Sequence, residues 1–152
     1  MNTATQEIAS PERRVDQLLA HYGESHRHPT NELIHYTAIP LIMLSLVGLI
    51  YALHPFAAYA FVGASMVYYV RLSLVFTLSM LALSALGLAL VHLMGEQRVA
   101  ICTAIFVVAW IFQFIGHKIE GKKPSFFEDI QYLWVGPLFV LSHLFKKLGI
   151  RW

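Results

Sequence analysis

The sequence predicts an all-α integral membrane helical bundle, and three observations predict it. The 152 residues are 57% hydrophobic and only 13% charged, where a soluble domain carries roughly 25% charged residues. The charge is segregated, with no Asp, Glu, Lys or Arg between Leu33 and Val70. No strand-like alternation is visible, which leaves helices rather than a closed barrel as the spanning form. The length suits a single domain over residues 1–152.

The N-terminal stretch, MNTATQEIASPERRVDQLLA, opens polar and lacks the basic-then-apolar order of a cleavable signal peptide. It reads as a short amphipathic helix with Ser10 as N-cap, Pro11 at N1, and Arg13, Arg14 and Asp16 facing water. A crossing needs ~20 apolar residues, and residues 33–53 supply them without a charge. Residues 55–94 carry one charge, Arg71, and are too long for one crossing. They divide into spans 55–70 and 73–94 around a turn near YYVRLS, with Pro55 opening the second helix where its missing N–H costs nothing. MGEQR, residues 94–98, makes the next turn, and 99–116 is the fourth span.

The segment IQYLWVGPLFVLSHLF, residues 130–145, is apolar but short and carries Pro137. With four spans, both termini and the Arg71 turn share one face, which then holds every one of the 11 Lys and Arg residues except Arg98. A fifth crossing would move Lys146, Lys147 and Arg151 to the other side, against the positive-inside bias. The segment is therefore expected to be an interfacial or re-entrant helix. The expected setting is a bacterial inner membrane with both termini cytoplasmic, or the endoplasmic reticulum membrane in a eukaryote.

Several functions are disfavoured. Net charge is +2 with no basic stripe, so nucleic-acid binding is not expected. The single cysteine, Cys102, excludes an internal disulfide and reads as a small core filler. A nucleophile elbow, a P-loop, a dinucleotide fingerprint and the paired-histidine boxes of membrane desaturases are all absent from the sequence. Nothing in the sequence sets an oligomeric state.

Two polar clusters flank the apolar block: HYGESHRHPTNELIH, residues 21–35, and QFIGHKIEGKKP, residues 113–124. An even number of crossings returns both to one interface. Asn31 and His35 are four apart and share a helical face, and Gln113 and His117 repeat that spacing. His117–Glu120 and Glu32–His35 are i,i+3 pairs, and Thr30 is placed to cap the first span. Imidazole suits Fe, Zn, Cu or Ni, and Asn31 and Gln113 are expected to orient the rings from behind. Polar groups near membrane depth are costly, which marks them as functional candidates. His26, His35 and His117 are the candidate ligands. His54 and His92 read as interfacial anchors and His143 as packing. His21 and His28 are open between ligand and anchor. Arg71 either binds a carboxylate or marks a cytoplasmic turn, and Lys118, Lys122 and Lys123 form a charged rim.

The set Tyr22, His26, Pro29, Asn31 and His35, followed by WIFQFIGHKIEGKKP, resembles the Mpo1-like family from about Tyr22 to the C-terminus. The resemblance implies a small helical membrane enzyme, an Fe(II)-dependent dioxygenase that shortens long-chain 2-hydroxy fatty acids by one carbon. Its histidines fall on His26, His35 and His117, and its polar partners on Asn31, Gln113 and Glu120. Its implied partners are the 2-hydroxy fatty acid, O2 and the lipid bilayer. Tyr22, Arg71 and Lys118 are expected on the substrate side, the two cations steering the carboxylate. Two other classes stay open: a zinc-dependent membrane hydrolase with Glu120 or Glu32 as general base, and a non-enzymatic lipid-binding protein.

Overall fold

The computed structural model describes residues 12–122 and 132–152. Among the described residues six α-helices follow one another: α1 (Arg14–Gly23), α2 (Pro29–Leu53), α3 (Pro55–Val70), α4 (Leu74–Leu93), α5 (Arg98–Glu120) and α6 (Val135–Leu148). A 3-10 turn, Gly95–Gln97, joins α4 to α5. The described residues contain no strand, as the apolar pattern predicts. The expected cap Ser10 and N1 residue Pro11 lie outside the described residues, as do Lys123 and positions 130 and 131.

Local chemistry explains the boundaries. Two His-Pro pairs open helices in the same way. The His28 side chain accepts the Thr30 N–H at 3.2 Å, and Pro29 takes the first helical position of α2. His54 accepts the Phe56 N–H at 3.1 Å ahead of Pro55 and α3. Thr30 is thus not the cap expected from the sequence. The imidazole two residues earlier performs that task, because Pro29 holds His28 in extended backbone (φ −78°, ψ 124°). α5 ends where Gly121 turns left-handed (φ 74°), and the Lys122 N–H returns to the His117 carbonyl at 3.1 Å.

Among the described residues three helical stretches are long and apolar enough to cross a membrane: Pro29–Leu53, Leu74–Leu93 and Gly95–Glu120. α3 is also apolar but has 16 residues, roughly 24 Å of helix at 1.5 Å per residue. α6 has 14 residues. Leu78, Leu86, Val107 and Ile111 are among many large apolar side chains left exposed, a surface suited to hydrocarbon and not to water.

α2 and α5 run antiparallel and pack along their whole length. Two small residues set their separation. A Cβ on Gly48 would lie 2.3 Å from Cys102 Sγ, and one on Gly116 would lie 2.3 Å from Asn31 Oδ1. Close backbone approach at small residues is the usual basis of helix association in lipid. α3 and α4 make the round trip between them. At one end the Arg98 guanidinium sits 4.7 Å above the Tyr51 ring. At the other, Val15 of α1, Tyr69 of α3, Phe76 of α4 and Leu138 of α6 share one apolar cluster. The Tyr69 hydroxyl donates to the Trp134 carbonyl at 3.1 Å, and Arg13 donates to the Trp152 carbonyl. α1, α6 and the C-terminus therefore cover the end of the bundle where α2 begins and α5 finishes. Arg13 and Arg14 face outward as expected.

Gly48→Ala is expected to lower the thermal midpoint of the detergent-purified protein by several degrees, since overpacking costs about 1–3 kcal/mol. Gly63→Ala, with nothing within 4 Å of the added methyl, is expected to hold or raise the midpoint, since Ala suits a helix interior better than Gly. Equal behaviour of the two variants would remove the α2–α5 close approach as a constraint.

Candidate metal centre

His35 lies in the second turn of α2 and His117 in the last turn of α5. The antiparallel packing of the two helices brings these rings to 5.1 Å between centroids, nearly perpendicular. His26 comes from the short loop between α1 and α2, and its ring centroid lies 4.2 Å from that of His35 and 5.8 Å from that of His117. All three are buried, with 7%, 1% and 5% exposure for His26, His35 and His117. Each offers one ligand nitrogen, and these atoms lie within 4.8 Å of one another.

The tautomers of two rings are set by the main chain. His26 Nδ1 lies 2.8 Å from the Tyr22 carbonyl oxygen, and His35 Nδ1 lies 2.9 Å from the Asn31 carbonyl oxygen. A carbonyl only accepts, so each Nδ1 carries the proton and each Nε2 keeps its lone pair. Both carbonyls stand four residues before their histidine. Backbone thus performs the orienting role that the sequence assigned to amide side chains.

The loop carrying His26 is held by one carboxylate. Glu120 Oε1 accepts the Arg27 N–H at 3.0 Å; Oε2 accepts the His28 N–H at 2.8 Å and the Asn31 Nδ2 amide at 3.1 Å. Asn31, fully buried, also donates from Nδ2 to the Ser25 carbonyl at 3.2 Å. The end of α5 is thereby tied to the start of α2 and to the loop between α1 and α2. Tyr22 stacks on His26 with centroids 4.3 Å apart and planes 7° from parallel. Phe139 of α6 packs against both rings, 5.0 Å from Tyr22 and 5.6 Å from His26. Gln113 is buried one turn before His117.

Other expected residues lie elsewhere. Arg71 is exposed at the C-terminal cap of α3, and Lys118 is exposed beside His117. Neither cation belongs to the three-histidine cluster. Glu32 does not turn toward His35. It accepts from the Tyr36 hydroxyl and lies 3.0 Å from His143 Nε2, whose Nδ1 meets the Phe139 carbonyl at 2.9 Å. His143 is therefore a clasp between α6 and α2. The sequence pairing Glu32–His35 loses because Glu32 sits on the side of α2 that faces α6. His21 is exposed and pairs with Glu24 at 3.5 Å. His28 and His54 are caps, as described above. Phe139 carried no sequence signal, and Gly116 carried one only as part of the QFIGH stretch. The four-residue step from Tyr22 to His26, matching that from Asn31 to His35, did carry one.

The donor set fits a metal ion. Two ligands of one ion are at most ~4.2 Å apart when each bond is ~2.1 Å, so small ring movements close the cluster. Three protein ligands leave positions open for other molecules. The polar cluster sits at one end of apolar helices, which defines a helical membrane protein with a buried three-histidine centre. A family model described as "2-hydroxy-palmitic acid dioxygenase Mpo1-like" matches residues 13–148, and the chain belongs to the Mpo1-like family. It is 29% identical over 141 residues to the Saccharomyces cerevisiae protein named 2-hydroxy-palmitic acid dioxygenase MPO1, covering 86% of this chain and 79% of the yeast one. No solved structure matches.

Glu120→Ala is expected to release two backbone N–H groups of the His26 loop and the Asn31 amide from their shared acceptor, loosening the loop that carries His26. Zinc or iron affinity of the purified protein should fall at least tenfold, while helical content by circular dichroism is retained. Wild-type affinity in that variant would separate Glu120 from assembly of the centre.

Proposed function

We propose that this protein is an Fe(II)-dependent dioxygenase that shortens long-chain 2-hydroxy fatty acids by one carbon and releases carbon dioxide. The observation that carries the reading is the convergence of three buried imidazoles, two of them with Nδ1 protonated by contact with a carbonyl. The name of the yeast relative supports the substrate class.

Bound iron would supply the redox partner for O2. His26, His35 and His117 would hold it. The net conversion balances without a reductase: R–CH(OH)–COOH + O2 gives R–COOH, CO2 and H2O, a transfer of four electrons. Tyr22 and Phe139 cover His26 and exclude water from that side. Glu120 and Asn31 act as positioning residues, and Gln113 lies buried one turn before His117 on α5. Arg71 and Lys118 attract the carboxylate to this end of the bundle. The tail has apolar surface to follow: one groove of about 500 Å³ between α2 and α5, and one of about 260 Å³ between α2, α4 and α6. Each CH2 taken out of water contributes ~0.8 kcal/mol, so a long chain partitions into the bilayer around these helices and keeps its head at the interface.

A zinc hydrolase would need a carboxylate free to act as base at the metal. Glu120 is engaged by three N–H donors and Glu32 by Tyr36 and His143, which favours the oxygenase. The same reading takes α2 to α5 as four crossings, with both termini on the cytoplasmic side of a bacterial inner membrane. Arg71 and Lys118 then stand on the positive side.

With 2-hydroxypalmitate, the iron-loaded protein is expected to consume one O2 per pentadecanoate formed, read by an oxygen electrode and mass spectrometry. His35→Ala and His117→Ala should each lose the metal and at least a thousandfold of turnover. Retained iron with full activity in both variants would defeat the assignment. Arg71→Ala is expected to raise KM several-fold at unchanged iron content. An unaltered KM would remove Arg71 from substrate capture.

A further inference from the structure

On the hydrocarbon side of the three histidines lies a small cavity of about 30 Å³. Three of its walls stand four residues from a histidine: Ile39 follows His35, Gln113 precedes His117, and Tyr22 precedes His26. Trp110, Tyr132 and Gly136 are further parts of its lining. Gln113 is 6% exposed, and its Oε1 has no hydrogen-bond partner among the described residues. A buried amide left without a partner costs about 1–3 kcal/mol, and hydrocarbon offers none.

We propose that this cavity binds one water molecule, held by the Gln113 amide against the hydrocarbon side of the histidine cluster. The size fits, since a water needs roughly 10–15 Å³ of such space and two to four polar partners. Gln113 supplies an acceptor, and Tyr22, Trp110 and Tyr132 bring further polar atoms to the wall. Gly136 keeps the space open. A Cβ there would approach Ile39 Cδ1 at 3.2 Å and the Tyr22 hydroxyl at 3.3 Å. The water satisfies the Gln113 amide on a side where Ile39, Ile42 and Leu133 offer no partner. The site is independent of which metal the histidines hold and of the reaction proposed above.

The test is crystallographic, on the full chain grown from a lipid mesophase. The wild-type map is expected to show one peak within 3.2 Å of the Gln113 amide. Gln113→Leu should lose that peak, and its thermal midpoint should fall. Gly136→Ala keeps the amide, and its added methyl should displace the same peak, which secures the test if Gln113→Leu does not fold. A wild-type map without the peak, uptake of xenon under pressure in place of water, or a higher midpoint for Gln113→Leu would each overturn the proposal. A peak unmoved by Gly136→Ala would do the same.

Discussion

The close approach of α2 and α5 is the constraint on which the rest of the structure depends. Hydrocarbon gives no hydrophobic reward for pressing two apolar helices together, so shape at the contact decides. Gly116 admits the Asn31 side chain at one end, and Gly48 admits Cys102 at the other. With the helices at that separation, His35 and His117 meet ring to ring. A wider seam would leave two isolated histidines at an interface, where each would be only an amphipathic side chain.

The third histidine arrives by a different device. Its loop has no helix to fix it, and Glu120 supplies the fixing by accepting two consecutive backbone N–H groups and the Asn31 amide. Tyr22 and Phe139 then close over the ring. A carboxylate at the end of α5, an amide in the first turn of α2 and an aromatic from α6 thus converge on one loop. Each comes from a different part of the chain, so the centre exists only when the bundle is assembled.

The eight histidines show how little residue type decides alone. Two cap helices through a side-chain nitrogen ahead of proline, three converge in the buried cluster, and one clasps α6 to Glu32. His21 pairs with Glu24 on the surface, and His92 is exposed near the end of α4. What separates these roles is the acceptor or donor that the fold brings to each ring.

Helix class, the positions of the apolar segments and the identity of the two polar clusters follow from the sequence by itself. They depend on hydropathy, on proline and on spacings of three and four, all of which act within one turn or one span. Spans expected at 55–70 and 73–94 correspond closely to α3 and α4, because His-Pro and the turn at Arg71 mark their ends locally. His26, His35 and His117 were legible as candidates for the same reason. Their convergence, the tie from Glu120 to the backbone, the turn of Glu32 toward His143 and the cavity beside Gln113 were decided only by tertiary structure. Most of those contacts join residues far apart in the chain, such as His35 with His117 and Glu120 with Arg27 and His28, and no local periodicity encodes the rotation of one helix against another that brings them together.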